Sequence, residues 1–190
     1  VPRKKKESGD TPAPPAAEGA AMLSGAEADP GDGAAPRIED PARVLTFRLD
    51  EQLYGLPIDS VQEIQQLVEL MPLPDAAPAL VGMLDVRGLV VPAIDLRTLV
   101  GIVRREYTLE TPMVFCRAHG RVVCLIVDVV EDVVEVPPGS IQPPSNLYGL
   151  ADRMLGVCHL EQGLVMILDP ERLIPDAALH VVDAVTEVRP

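Results

Sequence analysis

Tryptophan is absent from this 190-residue chain, which also has only two phenylalanines and three tyrosines. A core without large rings must come from Val, Leu, Ile, Met and Ala, and the 47% hydrophobic content supplies them. Cysteine is scarce as well. Cys116, Cys124 and Cys158 form an odd set without Cys-x-x-Cys spacing, which excludes a disulfide framework or a zinc site and fits a reducing compartment. Each lies in an apolar run, where a free thiol behaves as a small hydrophobe. No apolar stretch approaches the roughly 18 residues a membrane span needs. The N-terminus lacks the apolar core of a secretory leader, so none is expected. Basic residues are outnumbered 16 to 29, giving a formal net charge of −13. That balance repels phosphate backbones and argues against nucleic acid as a partner. The one basic run, Arg3-Lys4-Lys5-Lys6, reads as a solvated tail.

Catalytic signatures are missing too. There is no GxGxxG, GxxxxGK[ST] or GxSxG. His119, His159 and His180 show no metal-ligand spacing. His119 falls in a predicted turn and is expected at the surface. Strand alternation puts His159 and Cys158 on opposite faces, which argues against joint ligation. The sharpest enzymatic idea is an aspartic-type hydrolase, because two β lobes bearing paired aspartates suit a shared-proton carboxylate dyad. None of Asp59, Asp95, Asp128 or Asp169 has the Asp-Thr/Ser-Gly context that such a site needs. Asp95 and Asp169 are better explained as helix caps. Neither a cofactor nor a metal is expected.

What is present begins after a long polar stretch. Ala, Pro and Gly fill 22 of positions 1–42, a composition that cannot bury enough surface to offset ordering, so 1–42 is read as a disordered tail. The last stretch, 175–190, is weakly patterned, although Leu179, Val181 and Val182 could dock. Between them, 43–174 reads as strands. Val44–Leu49 and Leu53–Ile58 flank an Asp50-Glu51 turn. Asp59 followed by Val61, Ile64 and Gln65 suits a short helical turn. After a Pro-rich loop, Leu80–Val86 and Leu89–Ile94 flank Arg87-Gly88, and Asp95 caps a helix over Leu96–Val100. The alternation repeats at Met113–Ala118, Val122–Val127, Val133–Val136, Met154–Leu160 and Leu164–Leu168. Asp169 then caps a second short helix with Pro170 at its first position.

The halves match one another. Ile58-Asp59-Ser60-Val61-Gln62-Glu63-Ile64 lines up with Val127-Asp128-Val129-Val130-Glu131-Asp132-Val133, 69 positions on. Gly82 and Asp95 line up with Gly156 and Asp169, 74 positions on. A duplication of this kind predicts an all-β fold of two five-stranded barrels related by an approximate two-fold. Each barrel alone is small, so the lobes must share an apolar seam.

At Leu80–Leu96 the chain resembles the CheW chemotaxis coupling family. The resemblance rests on Gly82-Met83-Leu84-Asp85-Val86-Arg87-Gly88-Leu89-Val90-Val91-Pro92-Ala93-Ile94-Asp95-Leu96, on Tyr54-Gly55-Leu56-Pro57-Ile58, on Val61-Gln62-Glu63-Ile64, and on the hairpin around Arg121-Val122-Val123. It covers about 43–174 and implies two intertwined SH3-like barrels with short connecting helices. It further implies a cytoplasmic, non-catalytic adaptor that joins transmembrane chemoreceptor tips to the regulatory domain of a CheA-type histidine kinase. The resemblance makes Arg87 the coupling arginine, Glu63 the glutamate facing it, and Val61 and Ile64 neighbours of a receptor groove. Asp85 stands where that family usually has Asn. Beside Arg87 and Gly88, it could partly neutralise the guanidinium and alter partner choice. An adaptor of the same fold in a non-chemotactic array, controlling motility or development, is the alternative, as is the regulatory piece of a larger kinase. The apolar loop Leu67, Leu70, Met71 and Leu73 is either buried against the seam or a helix-binding groove.

Overall fold

The computed structural model describes residues 42–74, 76–144, 149–174 and 179. The tail expected over 1–42 lies outside the described residues except for Ala42, and the one expected over 175–190 except for Leu179. The described residues form ten strands: β1 (Arg43–Leu49), β2 (Gln52–Pro57), β3 (Val61–Gln66), β4 (Leu80–Val86), β5 (Leu89–Asp95), β6 (Pro112–Ala118), β7 (Arg121–Ile126), β8 (Val129–Glu135), β9 (Met154–Leu160) and β10 (Gly163–Leu168). Two one-turn helices follow β5 and β10: α1 (Leu96–Leu99) and α2 (Pro170–Leu173). The strands form two five-stranded sheets, ordered β8-β1-β2-β10-β9 and β3-β6-β7-β5-β4.

The two orders are the same once each strand is exchanged for its counterpart five places along the chain. The repeat read from the sequence is therefore a structural duplication. β3 leaves the β1–β2 hairpin to pair with β6, and β8 leaves β6–β7 to pair with β1. Each sheet curls into a barrel when the chain leaving its crossing strand returns against the far edge. Met71 makes a two-bond bridge with Met83 of β4, and Gln142 makes the equivalent bridge with Val157 of β9.

Both faces of the central strands are covered, which is why these strands read as near-continuous apolar runs. In β1 and β2, Val44 and Leu53 fill the first barrel with Val165 and Ile167. Leu45, Phe47, Tyr54 and Leu56 face the other way, into a seam shared with Val114, Cys116, Val123 and Leu125 of the second sheet. Met113, Phe115, Cys124 and Ile126 fill the second barrel with Leu84 and Val91. Leu179 is buried in the seam.

Two local expectations change. The helical turn expected after Asp59 shrinks to a 3-10 turn, Ile58–Ser60, and Val61–Gln66 is a strand. Its burial alternates with period two, Val61, Glu63 and Gln65 half-buried and Gln62, Ile64 and Gln66 exposed, as pairing with β6 requires. β8 also begins four residues before the expected Val133, because the acidic pair Glu131-Asp132 sits in an edge strand and interrupts the apolar pattern.

Candidate docking surface

Asp95 accepts the Thr98 amide at 2.8 Å and also the Tyr107 hydroxyl. Asp169 accepts the Glu171 amide at 3.0 Å and pairs with Arg172 Nε at 3.1 Å. Both are helix caps, as their sequence context suggested. Asp128 is committed elsewhere: it accepts from Arg97 Nη1 at 2.5 Å and from the Asp50 amide at 2.7 Å. Asp59 is exposed. Asp95 and Asp128 line one small cavity with Arg97, Arg105 and Tyr107, and among the described residues no group of three or more His, Cys, Asp or Glu is arranged to hold a metal ion. The three cysteines are free and buried. Burial pushes the Cys116 thiol up to about 12 and raises that of Cys124 as well.

Among the described residues, three non-glycine residues have left-handed backbones: Asp50 (φ 53°), Arg87 (φ 55°) and His119 (φ 51°), each at a hairpin tip. Asp and His visit this region comparatively readily. For other L-residues it costs about 1–2 kcal/mol, so a side chain kept there needs a reason. For Asp50 and His119 the reason lies between the lobes. Asp50 Oδ2 is 2.9 Å from Arg97 Nη2 and Oδ1 is 2.5 Å from Arg105 Nη2. At the equivalent tip, the His119 amide donates to Glu171 Oε2 at 2.7 Å, and its ring reaches the same carboxylate at 3.2 Å and the Ile174 carbonyl at 2.8 Å. Arg97 and Glu171 hold equivalent places in α1 and α2. The duplicated fold therefore clamps tip to helix twice, with the carboxylate on the hairpin in one lobe and on the helix in the other. His119 is thus exposed in a turn, as expected, and there also holds the lobes together. Arg97 is buried, which acts to lower its pKa, but the Asp50 hydrogen bond and the Asp128 charge outweigh that and raise it. The cluster of Asp50, Arg97, Arg105 and Asp128 was not foreseen, since its members are far apart in sequence.

Arg87 differs from both. Arg87-Gly88 forms a two-residue hairpin with both φ positive (55° and 85°), the turn that favours Asn-Gly. The Arg87 side chain is 83% exposed and its one ion pair is loose, Nη2 to Glu63 Oε2 at 3.5 Å. Asp85 is not its hydrogen-bond partner. Asp85 Oδ1 accepts the Gly88 amide at 2.8 Å and closes the turn. Leu89, the next residue, is 55% exposed.

β3, which carries Glu63, has a bulge beside it. Val61 pairs with Cys116 and Glu63 with Phe115, leaving Gln62 as the extra residue, and a bulge re-aims the side chains that follow it. Ile64, on the opposite face, is 45% exposed and lines a cleft between the lobes with Gln66, Thr108, Pro112, Val129 and Val130. Val61 packs against the seam. The six residues singled out in the sequence thus divide. Arg87, Glu63, Asp85 and Gly88 gather at the hairpin, whereas Val61 packs against the seam and Ile64 lines the cleft. The apolar loop is chiefly structural: Leu67 and Leu70 cover the second barrel and Leu73 covers the seam. Met71 remains 44% exposed.

A CheW-like domain family model matches residues 43–178. The chain belongs to the CheW-like family. It is 30% identical over 145 residues to the chemotaxis protein CheW of Klebsiella aerogenes, covering 75% of this chain and 87% of that one. Against the chemotaxis protein CheW of Rhizobium meliloti it is 27% identical over 134 residues, with 70% and 86% covered. The crystal structure of the scaffolding CheW protein of Thermoanaerobacter tengcongensis superposes with a TM-score of 0.66 at 28% identity, covering 70% of this chain and 92% of that one. That solved structure shares the fold described above. No helix among the described residues is long and apolar enough to cross a membrane.

Proposed function

We propose that this CheW-like chain is a non-catalytic cytoplasmic adaptor of chemotaxis signalling. It couples the cytoplasmic tip of transmembrane chemoreceptors to the regulatory domain of a CheA-type histidine kinase, without a cofactor. The observation that carries this reading is Arg87. Of the three strained non-glycine tips among the described residues, two use their side chains to hold the lobes together, and the third extends its guanidinium into solvent with one loose contact. Strain retained without an internal return marks a side chain whose partner is outside the chain. A guanidinium suits bidentate capture of a partner carboxylate. Across β3, the cleft at Ile64 and Val129 offers apolar floor to a helix, which suits a helical receptor tip.

Calorimetry with a soluble receptor-tip fragment and an isolated kinase regulatory domain tests the reading. Arg87→Glu is expected to lower affinity for at least one of them about tenfold or more, as loss of an interface arginine does. Unchanged affinity for both would remove Arg87 from the site.

A further inference from the structure

The strain at Arg87 raises a question that the docking reading leaves open: what holds the guanidinium where a partner meets it. The duplicate hairpin β9–β10 supplies a control within the same molecule. Its tip runs through Glu161-Gln162, and the left-handed residue is Gly163 (φ 123°). Asp85's counterpart there, 74 positions on, is His159, which is exposed and makes no contact with the turn comparable to that of Asp85. The architecture can therefore close this hairpin without a strained long side chain and without a carboxylate cap.

At β4–β5 both are present together. The Asp85 carboxylate takes the Gly88 amide at 2.8 Å across the turn. That bond compensates the one backbone donor next to Arg87 and fixes two successive left-handed residues. We propose that Asp85 is a positioning residue for Arg87: by capping the turn through Gly88 it holds the guanidinium over Glu63, aimed at the docking partner. This rests on Arg87 being a docking residue, and it assigns the Asp85 side chain a role as an acceptor, with its charge incidental.

The test uses the full chain and a soluble fragment of a chemoreceptor cytoplasmic tip as the probe. Asp85→Ala should speed hydrogen exchange at the Gly88 amide about tenfold or more, and weaken binding as much as Arg87→Ala does. The double variant should bind no more weakly than Arg87→Ala alone, because Asp85 acts through Arg87. Asp85→Asn, which keeps the acceptor oxygen, should restore both wild-type exchange and wild-type affinity. Additive losses in the double variant, or an Asn variant as impaired as the Ala variant, overturn the proposal. So does unchanged Gly88 exchange in Asp85→Ala. If the wild-type chain fails to bind the probe, the docking reading fails, and Gly88 exchange alone still decides whether Asp85 holds the turn.

Discussion

Gly82 and Gly156 occupy equivalent places in the two barrels, and each has a carbonyl oxygen of the returning chain where a Cβ would lie. For Gly82 it is the Met71 oxygen, at 2.6 Å; for Gly156 it is the Gln142 oxygen, closer still. These are the points where the barrels shut. A bulge beside each, at Val81 and Leu155, brings the strand against the returning segment.

Gly82→Ala and Gly156→Ala should each destabilise the fold by about 2–4 kcal/mol, because the obstacle is backbone and the two bridging hydrogen bonds must lengthen or break. Gly120→Ala meets no atom within 4 Å and has only its positive φ of 71° to oppose it, so about 1 kcal/mol is expected. Urea unfolding measures all three. Equal losses would mean that the barrel closures are no tighter than an ordinary turn.

Arg97→Met should cost about 2–3 kcal/mol, since it strips a buried cation from two carboxylates, the figure being reduced because Asp50 is partly exposed and Arg105 remains beside it. Arg48→Ala, which breaks the half-exposed pair with Glu131 at 2.6 Å, should cost under about 1 kcal/mol and less in high salt. Denaturation at low and high ionic strength separates the two. A salt-sensitive Arg97 effect would place the cluster in solvent.

Alkaline pH should weaken the fold. Burial raises Cys116 to about 12 and also raises Cys124, and burial followed by the Asp95 hydrogen bond raises Tyr107. In each case the folded chain keeps a proton that the unfolded chain releases near pH 9 for the thiols and pH 10 for the phenol. Their contribution is whole below those values and is lost as pH rises, by at most about 1.4 kcal/mol per pH unit for each group. Stability that stays level from pH 8 to about pH 11 would contradict the burial of these groups. The native thiols should also resist alkylation until urea unfolds the chain.

Ile64→Asp should weaken binding of a receptor-tip fragment by about tenfold or more. Ile64 is already 45% exposed, so the melting temperature should move by no more than about 2 °C. A large fall in melting temperature together with lost binding would make Ile64 a core residue instead.

Most of this architecture is legible in the sequence, because both faces of the central strands are apolar and the turns carry Asp, Arg-Gly and His-Gly. Leu80–Val86 and Met154–Leu160 are strands over the spans read from the sequence. The reading faltered at Val61–Gln66. There Asp59, Val61, Ile64 and Gln65 mimic a capped helical turn, and the pairing that decides otherwise is with β6, some fifty residues later. The same limit hid the Asp50, Arg97 and Asp128 cluster. Charge and spacing within a segment cannot reveal a neighbour that only the strand exchange brings near. Arg87 and Glu63 were legible as a pair, but the bond from Asp85 to Gly88 was not, because alternation places Asp85 beside Arg87 without saying which donor its carboxylate takes.

The exchange of β3 and β8 also sets an order of events at the ribosome. The second barrel, β3 to β7, is one unbroken stretch from Val61 to Ile126 and can shut as soon as that stretch emerges. The first cannot: β1 and β2 are made earliest, yet they must wait for β8, β9 and β10. During synthesis the opening hairpin is left with unsatisfied edges while its neighbour is already complete, and this interval is where nascent chains would be most open to chaperone capture or to mispairing with another copy.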